Sequence, residues 1–168
     1  MNSEKQYIDL YEQARQIIFD HSAAPMNAVR DQAYEDFKAA GLPGKKVENY
    51  KYTDMQKLFE PDYGLNLKRI EFPINPYKSF SCDVPNLSTS LYFVVNDQFY
   101  SKVQPRATLP EGVVVGSLKE QAEQHPELIA KYYAKIAKTN GDSLTALNTM
   151  LTQDGLYVYV PKNVKIDR

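Results

Sequence analysis

Gly41-Leu42-Pro43 constrains this chain more than any other feature, because it is a helix stop that closes the helical run at the start of the sequence. Glycine accepts the left-handed backbone that ends a helix, and proline lacks the amide hydrogen needed to continue one. Two amphipathic stripes lie ahead of this stop. Tyr7, Tyr11, Ala14 and Ile18 recur at helical spacing, widened by Leu10 and Ile17, and predict a helix over 4–20. Ser22 and Pro25 restart the chain, proline fitting a first helical turn where its missing N–H costs nothing. Met26, Val29, Ala33, Phe37 and Ala40 form the second stripe, which Gly41 closes as an αL cap.

The segment after the stop reads as structural in its own right. Thr53-Asp54-Met55-Gln56 is a capping box ahead of Leu58 and Phe59, a cap being worth ~1 kcal/mol. Tyr50, Tyr52 and Phe59 are predicted to anchor the turn to the core. Lys46, Glu48, Tyr50, Lys51, Tyr52 and Thr53 are therefore read first as structural and second as a binding surface. A Glu48–Lys51 pair contributes little if exposed.

From Leu65 the period shifts. Pro73, Pro76 and Pro85 punctuate short irregular strands, where proline is tolerated at edges. Leu91–Val95 and Gln98–Val103 flank Asn96-Asp97, a two-residue hairpin signal. Gly112–Val115 is another strand candidate. Ser117-Leu118-Lys119-Glu120 is a second capping box, opening a short helix that Pro126 interrupts or restarts. Leu128, Ile129, Tyr132, Tyr133 and Ile136 predict a helix stopped by Asn140-Gly141, and Leu144, Leu147 and Leu151 predict one more. Asp154-Gly155 is a turn. In the last strand Leu156, Val158 and Val160 alternate with Tyr157 and Tyr159, a pattern read as covered on both faces.

Composition narrows the function classes. At 168 residues the chain is long enough for a real core, burying roughly 70% of the unfolded surface. A net charge of −1 gives no nucleic-acid footprint. The N-terminus is charged where a secretory leader is apolar, and no apolar run approaches the ~20 residues of a membrane span. The reading is a cytoplasmic protein with no membrane and no nucleic-acid partner. Residues 45–69 carry Lys45, Lys46, Lys51, Lys57, Lys68 and Arg69 against Glu48, Asp54, Glu60 and Asp62. Such a strip could steer an acidic partner, although a solvated face is the ordinary reading.

No set of residues carries catalysis at sequence level. The single cysteine, Cys82, excludes an intrachain disulfide and holds no cluster alone. His21 and His125 lie near helix ends, without a second ligand at metal spacing. Gly41-Leu42-Pro43-Gly44-Lys45-Lys46 superficially suggests a phosphate loop, but no Ser or Thr follows and a helix precedes it. Among the thirteen tyrosines, Tyr7, Tyr11, Tyr34, Tyr132 and Tyr133 fall on or near helical stripes, so core packing is their default role.

The segment Gly41–Leu58 resembles the N-terminal signature of the SufD family, scaffold subunits of the iron–sulfur cluster assembly machinery that works with SufB and the ATPase SufC. Matching positions are Gly41, Leu42, Pro43, Lys46, Glu48, Lys51, Tyr52, Thr53 and Leu58. Tyr50 stands where the family usually has Trp, and Gly44 where Thr is common. Ala146-Leu147-Asn148-Thr149, Asp154-Gly155 and the run Tyr159-Val160-Pro161-Lys162-Asn163-Val164 resemble the point where the family begins its β-helix core.

The resemblance implies an α+β chain in three parts. Residues 1–64 form a helical segment and 65–153 an α+β segment packed on it. Residues 154–168 open a right-handed parallel β-helix, expected to be cut short by truncation. It implies a structural and docking role rather than an enzyme. The partners would be a SufB-like paralogue and a SufC-like ABC ATPase, with Lys45, Lys46, Lys51 and Lys57 as contacts. No cofactor would bind this chain; the cluster, and reduced flavin, would belong to the full complex. A β-helix edge left open is expected either to dimerise or to leave the chain disordered beyond about Asp154. Two other classes stay open: a stand-alone adaptor binding peptides at the 91–103 hairpin edge, and an enzyme whose polar residues do not pair in sequence.

Overall fold

Helix α1, Ser3–Asp20, buries Tyr11, Ala14 and Ile18, as its stripe requires. The computed structural model describes residues 3–70, 73–79, 91–102 and 109–166. Tyr7 packs edge-on against Phe59 with ring centroids 5.7 Å apart. Ile17, expected inside, is 43% exposed. The stripe is narrower than the sequence suggests, because Ile17 sits a full residue step around the helix from buried Ile18.

The second stripe breaks in two. Helix α2 is Ala24–Asn27, with Pro25 in its first turn, and α3 is Arg30–Ala40. Between them Val29 flattens to φ −107°, ψ −4°. The break sends the two halves to different cores. Met26 joins Ala23, Ala122 and Ile129, while Ala33 and Phe37 join Tyr11, Ile18, Leu42, Leu147 and Met150. A continuous helix would have pointed all of them into one cluster. Ala40 lies outside both and is exposed.

Gly41 closes α3 with an N–H bond of 2.8 Å to the Phe37 carbonyl, but not as an αL cap. Its backbone has φ 65° and ψ −169°, an extended departure at positive φ. A Cβ there would also sit 2.7 Å from Glu4 Oε1. Gly41→Ala should therefore lower stability by about 2 kcal/mol, the cost of a glycine-only backbone forced on an L residue. Urea denaturation reads this directly, and a loss below about 0.5 kcal/mol, the level of an ordinary surface change, would remove the argument.

Next come a 3₁₀ turn at Glu48–Tyr50 and the short helices α4, Met55–Leu58, and α5, Pro76–Ser79. The cap of α4 is Asp54 rather than Thr53, its carboxylate accepting from Lys57 N at 3.2 Å. The box is thus shifted one residue, since an ionised carboxylate accepts more strongly than a hydroxyl. In the hairpin, β1 (Val94–Val95) pairs antiparallel with β2 (Gln98–Phe99). Asn96 and Asp97 take φ 50° and 71°, the left-handed pair that a type I′ turn needs. The ladder is shorter than 91–103 predicts, and Val103 lies outside the described residues, as do Pro85 and Cys82.

Strand β3, Val114–Ser117, starts two residues later than expected, because Gly112 at φ 79° belongs to the preceding turn. Helix α6, Leu118–Gln124, is capped by Ser117, whose hydroxyl accepts from Glu120 N at 3.0 Å. Pro126 opens α7, Pro126–Tyr132. This helix ends eight residues before the predicted stop, leaving Tyr132 and Ile136 exposed. Tyr133 packs against the Met26 cluster one turn after Ile129, and there the backbone leaves the helix, extended at Tyr133 (φ −61°, ψ 129°) and left-handed at Ala134 (φ 56°). Helix α8, Ser143–Leu151, packs its buried face on α3.

The last strand, β4 (Leu156–Tyr159), pairs antiparallel with β3, from Val114↔Tyr159 to Ser117↔Leu156. It is not covered on both faces. Leu156 and Val158 on one face remain 49% and 52% exposed, while on the other Tyr157 packs against the Met26 cluster and Tyr159 is 41% exposed. No described helix is long and apolar enough to cross a membrane.

Candidate functional site

The 41–58 segment is a clasp around the first turn of α1. Glu4 on α1 accepts from Leu42 N at 3.0 Å and from Gln56 Nε2 at 2.8 Å. Ser3 Oγ donates back to the Gln56 carbonyl at 3.0 Å. Gly41, Leu42, Pro43 and Met55 are buried beneath the clasp. Tyr50 reaches across to the N-cap of α8, its hydroxyl donating to Asp142 Oδ1 at 2.6 Å. Tyr52, also predicted as an anchor, is 93% exposed. It follows the 3₁₀ turn that aims Tyr50 inward, and a neighbour two positions on takes the opposite side.

The lysines divide. Lys45 pairs with Asp54 at 3.1 Å and Lys51 pairs with Glu48, all four side chains being largely exposed. Lys51 also lies 5.1 Å over the Tyr52 ring. Lys46, Lys57 and Thr53 are exposed. An open groove of about 640 Å³ runs between Pro43, Val47, Met55 and Gln56, with Lys45, Lys46 and Asp54 on its walls. An apolar floor with a cationic wall suits an acidic, partly apolar segment of another chain.

The Tyr50–Asp142 bond carries a pH signature. The hydrogen bond to Asp142, with desolvation behind it, pushes the Tyr50 phenol up to about 12. Burial would raise Asp142, but hydrogen bonds from Tyr50 and Thr145 outweigh it and hold that carboxyl below its usual range. A raised tyrosine contributes stability that is complete below its unfolded value near 10 and is lost as pH rises through about 12. The stability difference between wild type and Tyr50→Phe should therefore shrink as pH rises above 10. Urea midpoints across that range give the answer, and a constant difference would dismiss the bond as a contributor.

The second motif splits between core and hub. Leu147 is buried under α3, whereas Asn148 is exposed and Tyr159 is half-exposed on β4. Pro161 lies against Gly112, its Cγ 2.9 Å from where a Cβ would stand. Gly155 accepts from Leu118 N at 2.8 Å, joining the turn to α6. Asp154, only 7% exposed, gathers three segments. Its Oδ1 accepts from Ser117 Oγ at 2.7 Å and Lys119 N at 3.0 Å, and its Oδ2 from Phe99 N at 2.9 Å. Arg69 stands 3.7 Å from the same carboxylate and 3.1 Å from Asp97. In the sequence Asp154 reads as a turn and as part of the second motif, but not as a hub, since its partners are 35 or more residues away.

His21 follows α1, and His125 stands between α6 and α7 without a side-chain capping bond. Among the described residues no three His, Cys, Asp or Glu side chains converge as a metal site. What the geometry assembles is a clasp, a hub and an exposed strand. A family model described as the SufBD protein N-terminal region matches residues 1–168, and the chain belongs to that family.

The chain is similar to the iron–sulfur cluster assembly protein SufD of Bacillus subtilis, at 28% identity over 144 residues, 83% of this chain and 32% of that protein. An iron–sulfur cluster assembly SufBD family protein of Synechocystis is 36% identical over 55 residues, 33% of this chain and 12% of the relative. One of Arabidopsis thaliana is 27% identical over 97 residues, 58% and 20% of the two chains. The matches thus span about a third or less of these curated relatives. Comparison with solved structures returns no significant match.

Proposed function

We propose that this chain is the N-terminal region of a SufD-like scaffold subunit that takes part in iron–sulfur cluster assembly, with a structural and docking role and no catalysis of its own. The observation that carries this reading is the division of labour within the family motif. Gly41, Leu42, Pro43 and Tyr50 are spent on holding α1 and α8, while Lys45 and Lys46 line an apolar-floored groove and Lys57 and Tyr52 are exposed. Clusters are cargo of the full complex and are not held here. A paralogous SufB-like subunit and a SufC-like ATPase are the proposed partners, in the cytoplasm.

The exposed apolar side chains of β4 support its proposed role as the first strand of a β-helix core. They would be covered by further strands, or by a second copy at the same edge. The peptide-binding reading of the 91–103 edge finds less support, because a ladder of two residue pairs is a short template for strand addition.

The test is recovery of the endogenous protein, tagged at its N-terminus, under anaerobic conditions, with intact mass and co-purifying partners measured together. The reading expects an ABC-type ATPase and a paralogous β-helix subunit, and recovery without either would overturn it. Charge reversal at Lys45 and Lys46 should weaken that assembly, and unchanged assembly and cluster delivery would take the lysines out of the docking surface.

A further inference from the structure

Past α7 the chain folds into a tight knuckle whose surface the family motif does not account for. Ile136 at its tip is 91% exposed and Tyr132 at its base is 56% exposed. Lys131, Lys135 and Lys138 flank them in sequence, all exposed, with Lys131 Nζ 5.0 Å from the Tyr132 ring, and no Asp or Glu occurs between Glu127 and Asp142. The knuckle is built rather than loose. Tyr133 is sunk in the Met26 cluster, Lys135 N bonds the Tyr132 carbonyl at 3.2 Å, and Gly141 N bonds the Lys138 carbonyl at 3.1 Å. The Thr139 hydroxyl donates to Asp36 on α3. Ala134 takes φ 56°, a left-handed backbone that an alanine rarely adopts. A strained, pinned turn therefore holds a large aliphatic side chain in water, and strain of this kind persists where the surroundings enforce it.

We propose that the knuckle is a docking knob: Ile136, backed by Tyr132, enters an apolar socket on a partner protein whose rim is acidic and faces the three lysines. This rests on the scaffold reading, and places a contact on that subunit away from the 41–58 lysines. An isoleucine and a half-exposed tyrosine, ringed by charge, match the pattern of a desolvated anchor with a polar rim. An anionic membrane is the weaker fit, since surface-bound segments use a continuous apolar helix face, and here the helix ends at Tyr132. Lysines on the rim should act chiefly on association rate, in a salt-dependent way.

The experiment uses the full-length protein with the purified paralogous subunit and ABC-type ATPase from the same source, and measures affinity at low and high salt. Ile136→Asp and the triple variant Lys131→Glu, Lys135→Glu, Lys138→Glu should each weaken binding by at least about tenfold. The triple variant should lose most at low salt. Thermal midpoints should stay at the wild-type value, the side chains being exposed, and Ile136→Ser gives a milder second probe. Wild-type binding with both variants within about twofold of it, the ordinary scatter of neutral changes, overturns the knob and leaves the scaffold reading standing. A wild type that binds neither subunit overturns the scaffold reading and the knob with it. Wild-type binding to vesicles of phosphatidylcholine and phosphatidylglycerol, lost in both variants while subunit binding is untouched, would give the knuckle to a membrane instead.

Discussion

Arg30→Met should lower the unfolding free energy by about 3–5 kcal/mol, the scale for breaking a buried charged network by removing one side of it. Arg30 is fully buried. Its donors go to helix ends. One terminal nitrogen donates to the Met150 carbonyl at 2.9 Å and the Thr149 carbonyl at 3.3 Å, in the last turn of α8. The other donates to Ser22 Oγ at 2.9 Å, and Nε to Asn27 Oδ1 at 3.2 Å. Burial lowers its pKa, yet a guanidinium is basic enough to keep its proton. A cation at a helix C-terminus is favoured by the backbone dipoles, more so in a partly dry site.

Methionine fills much of the volume but leaves these acceptors buried and unpaired. The side chain also bridges the two cores, touching the α2 turn on one side and α8 on the other. Arg30→Lys keeps the charge with fewer donors and without the planar fork, so it should recover only part of the loss. Urea denaturation of the three proteins settles the ranking. A methionine variant within about 1 kcal/mol of wild type, an average mutational effect, would mean the carbonyls find other donors.

Arg30 also marks where the sequence stops being legible. Local signals are carried by residues a few positions apart, and they were readable. Asn96-Asp97 gave the hairpin turn, Ser117 with Glu120 the cap of α6, Pro126 the start of α7, and Gly41 the end of α3. Periodicity misled where the chain trades helix for packing. Val29 breaks the second stripe so that Met26 and Phe37 serve different clusters, and Tyr133 ends a stripe that Ile136 continues on paper. The motif was legible as a structural turn, but not which tyrosine it buries. Tyr50 and Tyr52 differ only in which side of a 3₁₀ turn they leave from, and Asp142, which decides it, lies 92 residues away. A basic residue in an amphipathic helix reads as surface by default, and nothing near Arg30 says that α8 ends against it.

Asp154→Ala should cost a further about 3–5 kcal/mol on the same physical ground, since it strips a buried acceptor from several donors at once. Phe99 N, Lys119 N and the Ser117 hydroxyl lose their partner, while Arg69 keeps its pair with Asp97. The loss has a direction in space. The three donors belong to the hairpin, the start of α6 and the end of β3, so the variant should free them from the turn that launches β4. Amide hydrogen exchange should speed up at Phe99 and Lys119 before the α1–α3–α8 core opens.

Asp154→Asn separates the two halves of the hub. An amide oxygen in the Oδ1 position still accepts from Ser117 and Lys119, while its NH₂ then faces Phe99 N–H and the Arg69 guanidinium, donor against donor. Exchange should rise at Phe99 and stay slow at Lys119, with a stability loss of about 1–3 kcal/mol, the cost of leaving a buried donor unsatisfied. Equal protection at both amides in the asparagine variant would show that Asp154 is a bystander to the hairpin.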